Sequence, residues 1–206
     1  MFITPNMTND GHDTSVTTAG AWSKSFLEPL LTNPNFNGAK TLILLTFDEN
    51  HTYTIANNVF SMLLGNAVPQ SLVGTTDSSL YTHYSQIATV SANWDLPTLG
   101  RWDVGANVYN FVGQQTGDAV KPWTTNNGTW DTFPGFAFNA SYPGPFNSVT
   151  NNTGYPVPNT SAVRNGRAVL PLVQSTFAGK SSSYYPGNVG PMLYDGEVGN
   201  QPPKWY

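Results

Sequence analysis

Asp48 and Glu49 stand side by side where the run Thr41-Leu42-Ile43-Leu44-Leu45-Thr46-Phe47 ends, and Asn50 and His51 follow them. Two adjacent carboxylates leaving an apolar segment must be solvated, paired or bound to a cation. A hard divalent ion satisfies both and can polarise a phosphoryl oxygen, whereas the plain alternative is a solvated acidic turn. A second group is Asn6-Met7-Thr8-Asn9-Asp10-Gly11-His12-Asp13, small polar residues around a glycine and a histidine. Such a loop presents side chains to a ligand. His12 has the chemistry to bind a metal, donate to a phosphate oxygen or protonate a leaving group. The plain alternative is an Asx-rich turn before a helix capped by Asp13 or Thr14. A third group is Tyr81-Thr82-His83-Tyr84-Ser85. In the first turn of a helix, the positive end of the dipole favours a neutral His83 ring, the form a metal requires; a surface histidine remains the alternative. His51 is a weaker candidate. Arg101 has the fork to hold a phosphate, but Asp95 and Asp103 are nearer partners in sequence. Ser15, Ser23 and Ser85 lack the glycine-flanked setting of a nucleophile elbow, and no nucleophile is assigned.

These groups need elements to hold them. The run 41–47 shows no polar alternation, which predicts a strand buried on both faces, as in a parallel α/β sheet. Ligands in such sheets gather beyond the carboxyl ends of the strands, where Asp48 and Glu49 lie. Trp22, Phe26, Leu27, Leu30 and Leu31 recur at helical spacing, predicting a helix over 19–31 with a kink or break near Glu28, because Pro29 lacks an N–H. Val59 to Leu64 is a second short apolar run, closed by Gly65. His83, Ile87, Val90 and Trp94 align at i, i+4, i+7 and i+11, predicting a helix over 83–93 with Thr82 as N-cap.

The chain has 206 residues, enough for one domain with a real core. Residues 1–112 hold all three histidines, the apolar runs and the helical patterns; residues 113–206 are rich in Pro, Gly, Asn and aromatics. Loops and short strands are expected in the second region, packed on the first or partly disordered. The stretch 124–163 reads as a glycosylated surface or a partly disordered tail. Charged residues are only 10%, the net charge is −4, and no Lys/Arg cluster occurs. Nucleic acid and anionic membranes are poor partners for such a surface. With no cysteine, disulfides and thiolate metal sites are excluded. Sequons at Asn6, Asn50, Asn127, Asn139, Asn151 and Asn159 point to a secretory route. No apolar run is long enough to span a bilayer, and the first residues do not read as a signal peptide.

Taken in order, Thr4-Pro5-Asn6-Met7-Thr8-Asn9-Asp10-Gly11-His12-Asp13-Thr14, Leu44 to Asn50, Tyr81 to Ser85, Asn93-Trp94 and Leu99-Gly100-Arg101 resemble fungal secreted acid phosphatases of the phosphoesterase family. That family also includes phosphatidylcholine-type phospholipases C. The resemblance covers roughly residues 1–112 and implies an alkaline-phosphatase-like α/β fold: an incomplete, mostly parallel sheet flanked by helices, with a loop-rich C-terminal region. It implies a divalent metal held by Asp48, Glu49 and His83, and phosphate contacts from His12 and His83. Asn9 and Asp10 would shape the loop around a catalytic His12. It also implies a Glu-Asn metal motif and a Ser or Thr nucleophile upstream of Thr4, neither present in this sequence. The chain is therefore expected to be the C-terminal part of a longer secreted or cell-wall phosphomonoesterase, nearly inactive by itself. Phosphodiester hydrolysis is the nearest alternative. A non-catalytic glycoprotein stacking sugars on Trp123, Trp130, Phe133, Phe136 and Tyr142 is the rival from another class.

Overall fold

In the computed structural model the described residues are 1–52, 58–79, 81–120, 132–133, 136–137 and 158–179. They divide between two units, Met1–Phe47 with Val59–Thr75, and Asp48–Asn58 with Thr76–Tyr206.

In the first unit, Ser15 starts helix α1 (Val16–Thr32) by accepting the Thr18 N–H on its side chain. A cap of this kind contributes about 1 kcal/mol. The cap is thus Ser15, not Asp13 or Thr14; Thr14 Oγ1 donates instead to the Thr8 carbonyl, 2.7 Å away. Pro29 lies inside the helix, which runs on to Thr32 without a break. Trp22 and Phe26 stack one turn apart, with ring centroids 4.9 Å apart. At the far end, Asn37 Nδ2 donates to the Leu31 carbonyl at 2.8 Å, satisfying one of the carbonyls that a helix end leaves over.

The predicted strand forms as β1 (Ile43–Thr46), but its partner corrects the expected architecture. It pairs antiparallel with β2 (Ser61–Leu64), in the register Ile43↔Leu64, Leu44↔Leu63, Leu45↔Met62 and Thr46↔Ser61. All four β1 residues are half-buried rather than enclosed on both faces. A continuous apolar run reports that both faces meet apolar groups; it carries no information about the direction of the neighbouring strand. Gly65 ends β2 at φ +99°, and a Cβ there would overlap the Thr41 carbonyl oxygen. That carbonyl accepts the Ala67 N–H at 3.0 Å. Asn37 and Asn66 tie this corner to α1: Asn66 N–H donates to Asn37 Oδ1 at 2.8 Å.

The second unit is built on α2 (Tyr84–Asn93), α3 (Trp102–Gly105), α4 (Asn110–Thr116) and α5 (Pro171–Phe177). Short antiparallel pairs β3 (Thr132–Phe133) with β4 (Phe136–Ala137), and β5 (Val163–Arg164) with β6 (Arg167–Ala168), complete its named elements. A mostly parallel sheet is not what the described residues form: every named strand pair is antiparallel, and parallel pairing is confined to the bridge Thr98↔Val169. The core gathers Val104, Ala162 and Val169, with Val173 packed against them. Arg164 holds this core to its surroundings. Its Nε donates to Asp118 Oδ1 at 2.7 Å, and its Nη1 donates to the Asp103 and Val104 carbonyls at 3.0 Å, the latter two on α3. Arg167 Nη2 reaches the other Asp118 oxygen at 2.8 Å.

Helix α2 begins at the predicted place but turns a different face inward. Its buried residues are Ser85, Ala88, Thr89, Ser91 and Ala92, while Ile87 (46%), Val90 (44%) and Trp94 (65%) are exposed. Its N-cap residue is His83 rather than Thr82, without a side-chain cap, and the Thr82 N–H donates to Ser85 Oγ at 3.1 Å. Among the described residues no helix is long and apolar enough to cross a membrane.

Candidate active site

The loop carrying Asn9, Asp10 and His12 lies in the first unit and is folded by its own side chains. The Asn9 N–H donates to Asn6 Oδ1 at 2.9 Å, and the His12 N–H donates to Asp10 Oδ1 at 2.8 Å. These are the Asx turns that such a sequence favours. Gly11 takes φ +95° between them, and Asp13 N–H returns to the Met7 carbonyl at 2.9 Å. His12 is exposed, with Nδ1 3.0 Å from Asp13 Oδ1. A carboxylate only accepts, so this contact puts the proton of a neutral ring on Nδ1 and leaves Nε2 as its acceptor.

Asp48, Glu49 and His83 belong to the second unit, and two of them meet. His83 Nε2 donates to the backbone carbonyl of Asp48, 2.6 Å away across 35 residues of sequence. The contact is to the main chain rather than the carboxylate, and it leaves Nδ1 as the acceptor of a neutral His83 ring. Asp48 and Glu49 are both exposed, and Asp48 Oδ1 accepts the Glu49 N–H at 3.0 Å. His51, also exposed, follows Asn50, whose Oδ1 accepts the Thr52 N–H.

The donors fit a divalent ion in kind but not in number. Hard cations take six or more oxygen ligands, and carboxylates are their preferred protein donors. Yet among the described residues no group of three or more His, Asp or Glu side chains is gathered so as to hold a metal. His83 Nε2 is directed to a peptide oxygen. Asp48, Glu49 and His83 by themselves therefore do not make a closed metal site in this arrangement.

Tyr81 and Tyr84, which flank His83 closely in the chain, and Tyr109 were left without a role by sequence reading. Tyr81 Oη donates to Asp77 Oδ2 at 2.5 Å and accepts the Asn110 N–H at 3.0 Å. Its ring packs on that of Tyr109, 5.0 Å between centroids. Burial drives the Tyr81 phenol far above its usual value, and the bond to Asp77 adds to this. Burial pushes the Asp77 carboxyl up as well, but the bonds from Tyr81 and Ser79 outweigh it and hold the carboxyl below its usual range. Burial also pushes Tyr84 up to about 12, with Arg101 opposing and Asp103 adding, and pushes Tyr109 up to about 12. Asp77 was detectable only as the start of Asp77-Ser78-Ser79, an Asx-turn pattern four residues before Tyr81.

Arg101 acts on this group through its charge on Tyr84. Its guanidinium lies 5.7 Å from the Phe177 ring centroid, while Asp103 accepts the Leu99 and Arg101 amide protons at 2.7 and 2.9 Å. Of the sequons, Asn127, Asn139 and Asn151 lie outside the described residues, as do Trp123, Trp130 and Tyr142. Only the backbones of Phe133 and Phe136 are described. Asn159 is half-buried, with Oδ1 accepting the Ser161 N–H at 3.0 Å.

Residues 1–97 match the model of the Phosphoesterase family. That family implies an alkaline-phosphatase-like fold, of which the described residues show helices and small antiparallel sheets. The relatives are fungal. A phosphate-repressible acid phosphatase of Penicillium chrysogenum is 44% identical over 201 residues, which is 97% of this chain and 46% of that protein. An acid phosphatase of Aspergillus niger is 44% identical over 204 residues, covering 97% and 46%. A probable acid phosphatase of Kluyveromyces lactis is 48% identical over 190 residues, covering 89% and 42%. The chain thus spans less than half the length of these relatives. No solved structure gives a significant match.

Proposed function

We propose that the chain carries part of the active site of an acid phosphatase-like enzyme that hydrolyses phosphomonoesters. The observation that supports this most is 44% identity to named acid phosphatases along almost the whole chain. The His83–Asp48 contact supports it too, because it fixes a histidine at the acidic pair. In this reading Asp48 and Glu49 contribute oxygen donors to a divalent ion whose remaining ligands come from elsewhere. Such an ion would stabilise negative charge on a phosphoryl group.

The protein's own residues do the rest. His83, with Nε2 committed to the Asp48 carbonyl, offers Nδ1 to a metal or a phosphate oxygen. His12 would contact the phosphate or, in its protonated form, give a proton to the leaving alcohol. Asn9 and Asp10 hold the His12 loop in its Asx turns. The hydroxyl nucleophile and the full turnover belong to a longer protein, secreted or wall-bound and glycosylated at Asn127, Asn139, Asn151 and Asn159. The acid phosphatase names of the relatives favour monoesters over the phosphodiesters of a phospholipase C.

A chimera tests this reading: residues 1–206 replace the matching part of the Aspergillus niger acid phosphatase, and nitrophenyl phosphate hydrolysis is followed at acid pH. Asp48→Ala and His83→Ala should each lower kcat/KM at least about a hundredfold. Unchanged hydrolysis in both would refute the site. A phosphocholine diester cleaved faster than the monoester would shift the substrate class, and the isolated chain should show negligible turnover of either.

A further inference from the structure

His83 sits at the entrance of α2 without a side-chain cap, exposed, yet its ring nitrogen reaches a carbonyl 35 residues away. An exposed side chain on the first turn of a helix does not keep one direction unless the backbone beneath it is fixed. Several bonds fix it, and one pair of them runs through a phenol. Tyr81 Oη donates to Asp77 and accepts the Asn110 N–H, the first amide of α4. That amide is among the donors a helix leaves unsatisfied at its start. One residue on, the Thr82 N–H is held by Ser85 Oγ, and Ser85 is fully buried. The neighbouring turn is tied to the same helix start: Thr89 Oγ1 donates to the Ser85 carbonyl at 2.7 Å and accepts the Tyr109 N–H at 3.0 Å. The residues on both sides of His83 are thus anchored to the start of α4, and the Tyr81 side chain is the tie nearest in sequence before it.

We propose that Tyr81 is a positioning residue for His83: its hydroxyl, strung between Asp77 and the first amide of α4, holds the turn that aims His83 Nε2 at the Asp48 carbonyl. Asp77 orients the phenol by accepting its hydrogen bond, so that the oxygen's lone pair faces Asn110. The inference deepens the proposed function and rests on it for its catalytic meaning, since an aimed His83 matters to catalysis only if His83 serves the phosphate site.

The test reads the His83 ring directly in the full chain and needs no turnover. Nitrogen-15 NMR of the imidazole distinguishes the Nε2–H tautomer from the Nδ1–H form. In the wild type the Nε2–H form should predominate, with its proton protected from exchange. Tyr81→Phe keeps the ring and removes the hydroxyl; it should move the shifts toward a tautomer mixture and speed exchange of that proton about tenfold, the scale of one lost hydrogen bond. Asp77→Ala should do the same and carries the test alone should Tyr81→Phe not fold. Asp77→Asn retains an oxygen to accept the phenol proton and should restore most of the wild-type signal. Val112→Ala loosens α4 from its core side and should leave the His83 signals unchanged. The proposal is overturned if His83 is indifferent to loss of the Tyr81 hydroxyl or the Asp77 carboxylate, or if Val112→Ala shifts it equally. Failure of the functional reading looks different: in the chimera, His83→Ala would leave hydrolysis intact while the NMR response to Tyr81→Phe persisted.

Discussion

At the residue scale, the ion cluster of Asp118 with Arg164 and Arg167 is the feature whose loss the molecule should feel most. Asp118 is 5% exposed, and both arginines are buried. Burial pushes its carboxyl up, but the hydrogen bonds and charges of Arg164 and Arg167 outweigh this and hold it below the usual range. A carboxyl with a depressed folded pKa contributes stability that is complete above its unfolded value of about 3.9. That stability is lost as pH falls through the lower, folded value. The melting temperature should therefore hold steady down to about pH 4 and fall steeply below it. Asp118→Asn should cost about 3–5 kcal/mol at neutral pH, because two buried guanidinium groups lose their counter-charge. It should also remove much of the acid transition, as thermal melts between pH 3 and 7 would reveal. None of this could be read from the sequence, where Asp118 lies 46 residues from Arg164 and no motif links them. The Asx turns around His12 could be read, because they are made between neighbours. The aim of His83 could not: its partner is a peptide oxygen, and backbone atoms leave no mark on residue type.

At the element scale, position along the chain was legible and orientation was not. Apolar patterning placed α1, β1 and α2 within a few residues of where they lie, and marked the run in which β2 forms. It gave no guide to the inward face of α2, because it weighs only large apolar side chains. The face that packs carries Ser85, Ala88, Thr89 and Ala92, and small side chains let helices approach closely. Gly113 on α4 makes the same point: a Cβ there would collide with the Asp118 carbonyl oxygen. Two substitutions separate the faces. Ala88→Leu puts three extra carbons into a closed contact and should destabilise by about 1–3 kcal/mol. Ile87→Ser, on the stripe that spacing alone would bury, should change stability by no more than about 0.5 kcal/mol. Urea titration of both variants would show the order; the reverse would mean that the sequence periodicity marked the core correctly.

At the scale of the whole molecule, the exposed apolar residues become a property of the surface. Ile87, Val90, Trp94 and Leu96 lie on or just beyond α2, all more than a third exposed, and Phe47, Phe60 and Met62 are exposed on the other unit. Soluble chains rarely leave large side chains clustered in water, and such clusters mark surfaces that associate. Net charge is only −4 over 206 residues, so electrostatic repulsion does little to oppose association. The chain should therefore self-associate as its concentration rises, with added salt strengthening rather than weakening the effect. Salt screens the residual like-charge repulsion and does not diminish apolar attraction. Replacing Ile87 and Trp94 together by lysine should shift the sedimentation profile toward monomer. Both positions face solvent, so the melting temperature should stay close to that of the parent chain. Replacing Met62 and Phe60 by lysine is the comparison that assigns the effect to one surface. If only that second pair restores the monomer, association runs through the β1–β2 hairpin and the α2 stripe is inert.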